Sequence, residues 1–133
     1  MSKEKDVARS KLTALRDKLL QLHKALVDSE RVEYEKAFGP IASANDFLGL
    51  LARDPWFAWL SPLTRLLVSM DETLEAEEGV SEQTVRATFA NAFALLVTDE
   101  SGHGFGKQYF DALQRDPDVV MAHAEVAKLR RSA

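Results

Sequence analysis

The chain has 133 residues, 46% of them apolar and 29% charged, with a formal net charge of −4. This is the composition of a globular domain, and its acidic balance argues against a general nucleic-acid binder, which would carry a basic face. Cysteine is absent, which excludes disulfides, thiolate metal sites and a cysteine nucleophile.

The first predicted element is a long helix over residues 3–38. Leu12, Leu15, Leu19, Leu22 and Leu26 follow a 3-4-3-4 spacing, the a/d pattern of a heptad stripe, with charges of both signs between them. Gly39 is placed to end this helix and Pro40 to prevent its continuation. At 1.5 Å per residue it would be ~50 Å long, against a domain roughly 30 Å across. Between residues 2 and 11 only Val7 and Ala8 are apolar. Residues 1–11 are therefore expected to be a charged extension of the first helix that frays, the alternative being a helix that overhangs and meets a partner, and residues 12–133 a single helical-bundle domain.

A short second helix follows, capped by Ser43 with Asp46 three residues on, its apolar side made of Phe47, Leu48, Leu50 and Leu51. Asp54-Pro55 and Ser61-Pro62 each set a capping side chain before a proline at the first helical position. The first opens a single turn containing Trp56 and Trp59. The second opens a helix with Leu63, Leu66, Leu67, Met70 and Leu74 on one stripe, expected to run to Gly79. Ser81 caps the next helix, whose buried side is Val85, Phe89, Phe93 and Leu96 and whose end falls near Asp99. Residues 101–106 form a glycine-rich loop, read as a flexible connection. A helix with Tyr109, Phe110 and Leu113 comes after it. Asp116-Pro117 starts the last helix, with Val119, Val120, His123, Val126 and Leu129.

No strand or hairpin signal interrupts this series. The fold class is all-α, an antiparallel helical bundle with a long N-terminal helix and a short Trp-containing helical insertion. Residues 1–6 alternate charges without an apolar stretch, so no secretory leader is expected. The longest nearly apolar run, residues 89–97, is too short to span a bilayer. A cytoplasmic location without membrane or nucleic-acid partners is the expectation.

Six residues make up the candidate ligand or partner surface. His23, Glu30 and Tyr34 share one face of the first helix with Val27 at 4-3-4 spacing. Trp56 and Trp59, three apart, are either core or the anchors of a contact surface. Asp71 lies beside the buried stripe of its helix and needs a partner, such as Arg31, Arg65 or a tryptophan N–H, so a structural ion pair or hydrogen bond is expected there. The sequence contains no Glu-x-x-His and no His-x-x-x-His, and the Gly102/Gly104/Gly106 loop follows a helix and lacks the Gly-Lys-Ser/Thr of a phosphate loop. No metal or other cofactor is expected, and no catalytic residue is assigned. The acidic run from Asp71 to Glu82 reads as a solvated helix end and loop, with a docking patch for a basic partner as the rival.

Three stretches carry a resemblance: Leu22-His23-Lys24-Ala25-Leu26-Val27-Asp28-Ser29-Glu30-Arg31, Asp54-Pro55-Trp56-Phe57-Ala58-Trp59-Leu60-Ser61-Pro62-Leu63, and Asp116-Pro117-Asp118-Val119-Val120. Together they resemble a group of small bacterial all-helical proteins of unknown function. The resemblance implies a bacterial origin and brings no catalytic residue. The leading functional expectation is a non-enzymatic helical protein that acts through self-association, as a homodimer, or by binding a protein partner. The alternative is a small-ligand or metal-binding bundle.

Overall fold

Five leucines organise the architecture. Leu12, Leu15, Leu19, Leu22 and Leu26 are all fully buried. They form one seam along α1 (Lys3–Phe38), and the rest of the chain is arranged to cover it. The computed structural model describes residues 3–130; residues 1–2 and 131–133, the outer ends of the two predicted segments, lie outside the described residues. After α1 come α2 (Ala44–Arg53), a 3-10 turn (Pro55–Leu60, the Trp turn), α3 (Ser61–Glu75), α4 (Glu82–Leu95), α5 (Phe105–Arg115) and α6 (Pro117–Arg130). No strand occurs among the described residues, so the structure is all-helical with a long N-terminal helix.

Cross-helix bonds fix the directions. Arg9 Nη2 donates to the Leu74 carbonyl at 2.7 Å, Arg16 Nε to Asp71 Oδ1 at 2.8 Å, and His23 Nε2 lies 2.9 Å from Thr64 Oγ1. Numbers rise on α1 as they fall on α3, so the two are antiparallel. Lys18 meets Glu125 at 3.3 Å, and Arg115, just before α6, reaches Ser29 and Glu30. α6 is therefore antiparallel to α1 as well, and it makes the broadest contact with it. α4 starts beside the first turns of α1, where Val85 and Phe89 share a groove with Val7 and Ala8.

Local chemistry sets most boundaries. Gly39 adopts φ 93° and its N–H donates to the Glu35 carbonyl at 2.8 Å, an αL-type stop for α1. Ser43 accepts from Asp46 N, Asp54 from Trp56 N, Ser81 from Thr84 N and Asp116 from Asp118 N. Ser61 departs from its expected role. Leu60 and Ser61 both have helical dihedrals, so the Trp turn runs directly into α3. A capping residue needs an extended backbone to aim its oxygen at the first N–H groups. The Ser61 hydroxyl instead accepts from Arg65 Nη1. α3 stops at Glu75 and α4 at Leu95, each about one turn short of the expected end.

The first turns of α1 are anchored. Helix begins at Lys3, Ala8 is buried, and Lys5 Nζ donates to the Glu78 carbonyl at 3.3 Å. Together with Arg9, this places two cations on carbonyls at and just beyond the C-terminal end of α3, where the helix dipole favours positive charge. The accessible surface, 8311 Å², exceeds the ~7,000 Å² expected of a compact chain of this mass. An α1 about 54 Å long makes the molecule elongated. In the glycine-rich loop, a Cβ on Gly102 would collide with the Asp99 carboxylate, and one on Gly106 would come within 2.9 Å of the Val97 carbonyl. These glycines serve close packing of the loop on itself.

Candidate functional site

Beyond Leu26 the leucine seam ends and α1 presents a different face. His23, Val27, Glu30 and Tyr34 follow one another at helical spacing, and all four line clefts around the Trp turn. That turn exists because Asp54 caps it, Pro55 supplies a preset φ, and Phe57 and Leu60 are buried beneath it. Its two tryptophans stand half-buried on either side.

Glu30 is the electrostatic centre. It is only 4% exposed. Its Oε1 accepts from Trp59 Nε1 at 2.8 Å and its Oε2 from Arg115 Nη2 at 2.8 Å. The Arg115 Nε donates to the buried Ser29 hydroxyl at 3.1 Å. A buried carboxylate is tolerable only when paired and hydrogen-bonded. Here both oxygens are engaged, and three separate elements meet at one residue.

Trp56 belongs to an aromatic cluster. Its ring meets Tyr34 edge-on at 5.7 Å between centroids and Phe38 at 5.6 Å. Tyr34 also lies 5.5 Å from Phe57, and Phe47 of α2 approaches Phe57 at 5.8 Å. The Trp56 indole N–H is buried without a partner, an energetically unfavourable state for a donor. On the other side of the turn, Trp59 packs on Phe105 at 5.3 Å.

Three clefts open around this cluster. One, of about 610 Å³, is lined by Glu30, Lys36, Trp56, Trp59 and Arg115 among others. A second, of about 860 Å³, involves His23, Val27, Leu48, Trp59 and Phe105. The third, of about 640 Å³, runs beside α2 between Tyr34, Phe38, Gly49 and Arg53. The structure thus gathers His23, Glu30, Tyr34, Trp56 and Trp59 around one turn. Asp71 sits apart. Its partner is Arg16 at 2.8 Å, and its side chain is 46% exposed. The expected partners are engaged elsewhere: Arg31 lies over the Phe47 ring and near Glu35, and Arg65 bonds Ser61. Sequence reasoning missed Arg115, Ser29, Phe38 and Phe105. Only Ser29 carried a signal, as the neighbour of Glu30.

Two histidines contact hydroxyl groups. Desolvation pushes the His23 pKa below its ordinary 6.5. The Thr64 hydroxyl donates to the Leu60 carbonyl at 3.3 Å, so His23 Nε2 is the donor in its own contact with that oxygen. His123 is likewise lowered by burial, and its Nδ1 lies 2.6 Å from the Tyr109 hydroxyl. Tyr109 is completely buried and desolvation pushes its pKa up, so its hydroxyl keeps its proton and donates a hydrogen bond to His123 Nδ1. Among the described residues no cluster of three His, Asp or Glu is placed to hold a metal ion. No helix among them is long and apolar enough to cross a membrane. The geometry suits recognition through aromatic surface and paired charge. No protein family, curated protein or solved structure matches this chain.

Two outcomes follow for the site. In urea unfolding at pH 7, Arg115→Met should cost ~3–5 kcal/mol, because it leaves a buried carboxylate without its cation. Glu30→Gln should cost less, ~1–3 kcal/mol, since Arg115 is partly solvated and the amide can still accept from Trp59. Equal and negligible effects would show that the pair contributes no stability. Second, because both histidines have depressed folded pKa values, the unfolded chain takes up protons first as pH falls below 6.5. Their contribution to stability is complete above that pH and is lost progressively below it. The His23→Gln/His123→Gln protein should show a shallower fall in melting temperature between pH 6.5 and pH 5. An unchanged slope would assign the acid sensitivity to carboxylates alone.

Proposed function

We propose that this protein acts through contacts and that its primary partner is a second copy of itself, docked through α2. One observation carries this reading: α2 is strongly amphipathic, yet none of its residues is fully buried. Phe47, Leu50 and Leu51 are half-buried towards the Trp turn, whereas Leu48 is 62% exposed. A helix of ten residues draws little stability from propensity and needs tertiary cover. Here that cover reaches one side only.

The outward side is self-complementary. Asp46, Gly49 and Arg53 lie at i, i+3 and i+7, and Asn45, Leu48 and Ala52 flank them. If two α2 helices cross antiparallel near Gly49, Asp46 of each copy faces Arg53 of the other. The missing side chain at Gly49 lets the Arg53 guanidinium lie close over the helix, its Nη2 3.3 Å from where a Cβ would stand. A two-fold interface requires this kind of acid-to-base reversal along one patch. α2 is only ~15 Å long, and a stable interface buries ~800 Å² per partner. The contact must therefore extend over Phe38, 66% exposed, and residues 39–43, giving a micromolar rather than a permanent dimer.

Light scattering after gel filtration, across micromolar concentrations, should show the mass rising towards twice that of the monomer. Leu48→Asp should remain monomeric. Asp46→Arg and Arg53→Asp should each weaken the dimer, and the two together should restore it. A strict monomer at every concentration would sink this reading.

A small organic ligand is the second reading, favoured by the ~860 Å³ cleft beside Trp59. That volume lies within the range of small-molecule sites. A ligand bound only by the folded protein must raise its melting temperature. No shift across a panel of common metabolites at millimolar concentration would remove this reading.

A further inference from the structure

The opposite end of α1 carries a groove of another character. It encloses about 500 Å³ between the first turns of α1 and the first two turns of α4. Its floor is aliphatic and aromatic: Ala8, Val85 and Phe89 are buried, and Val7 stands at the mouth, 54% exposed. Its rim is cationic. Lys3, Val7 and Lys11 follow one another at four-residue intervals, so an ammonium group flanks Val7 on each side. Arg86 lines the facing wall.

We propose that this groove binds a single-chain amphiphile with one carboxylate head, a medium- or long-chain fatty acid, taken up as a free molecule. Three features favour that occupant. The volume suits a small-molecule ligand. An apolar floor with a few polar groups at one edge is the usual design of such sites, the floor supplying affinity and the edge orientation. The charge has the correct sign. Among the described residues the lining holds Lys3, Lys11 and Arg86 beside the Glu82 carboxylate, which already pairs with Arg86 at 2.9 Å. Lys3 and Lys11 make no ion pair among the described residues. In a chain of net charge −4, this is a local reversal.

The neighbouring cations do not share this availability. Lys5 and Arg9 donate to the Glu78 and Leu74 carbonyls on the α3 side of α1. The shape also selects a free chain over a bilayer surface. The floor lies below the rim between two helices, so an alkyl chain can enter it, while a flat membrane would reach only Val7. A carboxylate held between Lys3 and Lys11 would supply both with a counter-charge.

The test is a titration of the 133-residue chain with dodecanoate below its micelle concentration, followed by isothermal calorimetry and by amide chemical shifts. Saturable one-to-one binding at micromolar concentration is expected, with shifts centred on Val7, Val85 and Phe89. Lys3→Glu/Lys11→Glu should weaken binding about tenfold or more and leave the melting curve in place, because neither lysine belongs to the buried seam. Dodecanol, with the same chain and no charge, should bind wild type about tenfold more weakly. Absence of saturable binding overturns the proposal. So do shifts centred on Trp59, equal affinity for the alcohol, and binding to anionic phosphatidylglycerol vesicles without binding of free dodecanoate.

Discussion

The structure depends on one mismatch of lengths. α1 has 36 residues, while α3, α4 and α6 have 15, 14 and 14. No single partner can cover the leucine seam and what lies beyond it. The cross-helix bonds show how the shortfall is shared. α3 accompanies α1 from Arg9 to His23, α6 meets it at Lys18, and Arg115 at the end of α5 reaches Glu30. Past Leu26 the regular bundle runs out. The remaining three turns of α1 are covered by the Trp turn, α2 and the end of α5, short pieces that bring bulk through aromatic rings. Rings of this size cover much surface with few residues, yet they leave gaps at their edges. The clefts around Trp56 and Trp59 are those gaps.

Glu30 fits this view. At the end of a bundle, three loosely covering elements must be held in a single arrangement, and apolar contact alone is non-directional. A buried carboxylate is directional. It admits Trp59 on one oxygen and Arg115 on the other. Any sliding of the Trp turn or of α5 would leave a buried charge unpaired, which is far more unfavourable than losing an ordinary contact. The pair thus acts as a register pin for the part of the molecule where packing is least constrained.

This also explains what could be read from the sequence. The leucine seam, the stop at Gly39 and the caps at Ser43, Asp54, Ser81 and Asp116 depend on neighbours within a few residues, and they were legible. The face formed by His23, Glu30 and Tyr34, and its nearness to the tryptophan pair, followed from helical spacing and from the prolines. What could not be read depends on tertiary placement. Arg115 comes from 85 residues away, and its position is set by how α6 docks on α1. Arg16 was overlooked for Asp71 because pairing across antiparallel helices needs their register. Ser61 had the right side chain for a cap and the wrong backbone. The composition of residues 3–11 gave no sign of the carbonyls at the end of α3 that hold Lys5 and Arg9.

The two ends of α1 therefore differ in kind. One is aromatic, pinned by an internal ion pair and bordered by an under-covered amphipathic helix. The other is aliphatic with a cationic rim. Val7 and Tyr34 are separated by 27 residues of continuous helix, or about 40 Å. The central seam of this helix is fully buried, and coupling between distant sites requires an element with two arrangements. Occupancy of the cationic groove should therefore leave contacts at α2 unchanged. The long helix holds two independent surfaces at a fixed separation, and the bundle around its middle keeps that separation constant.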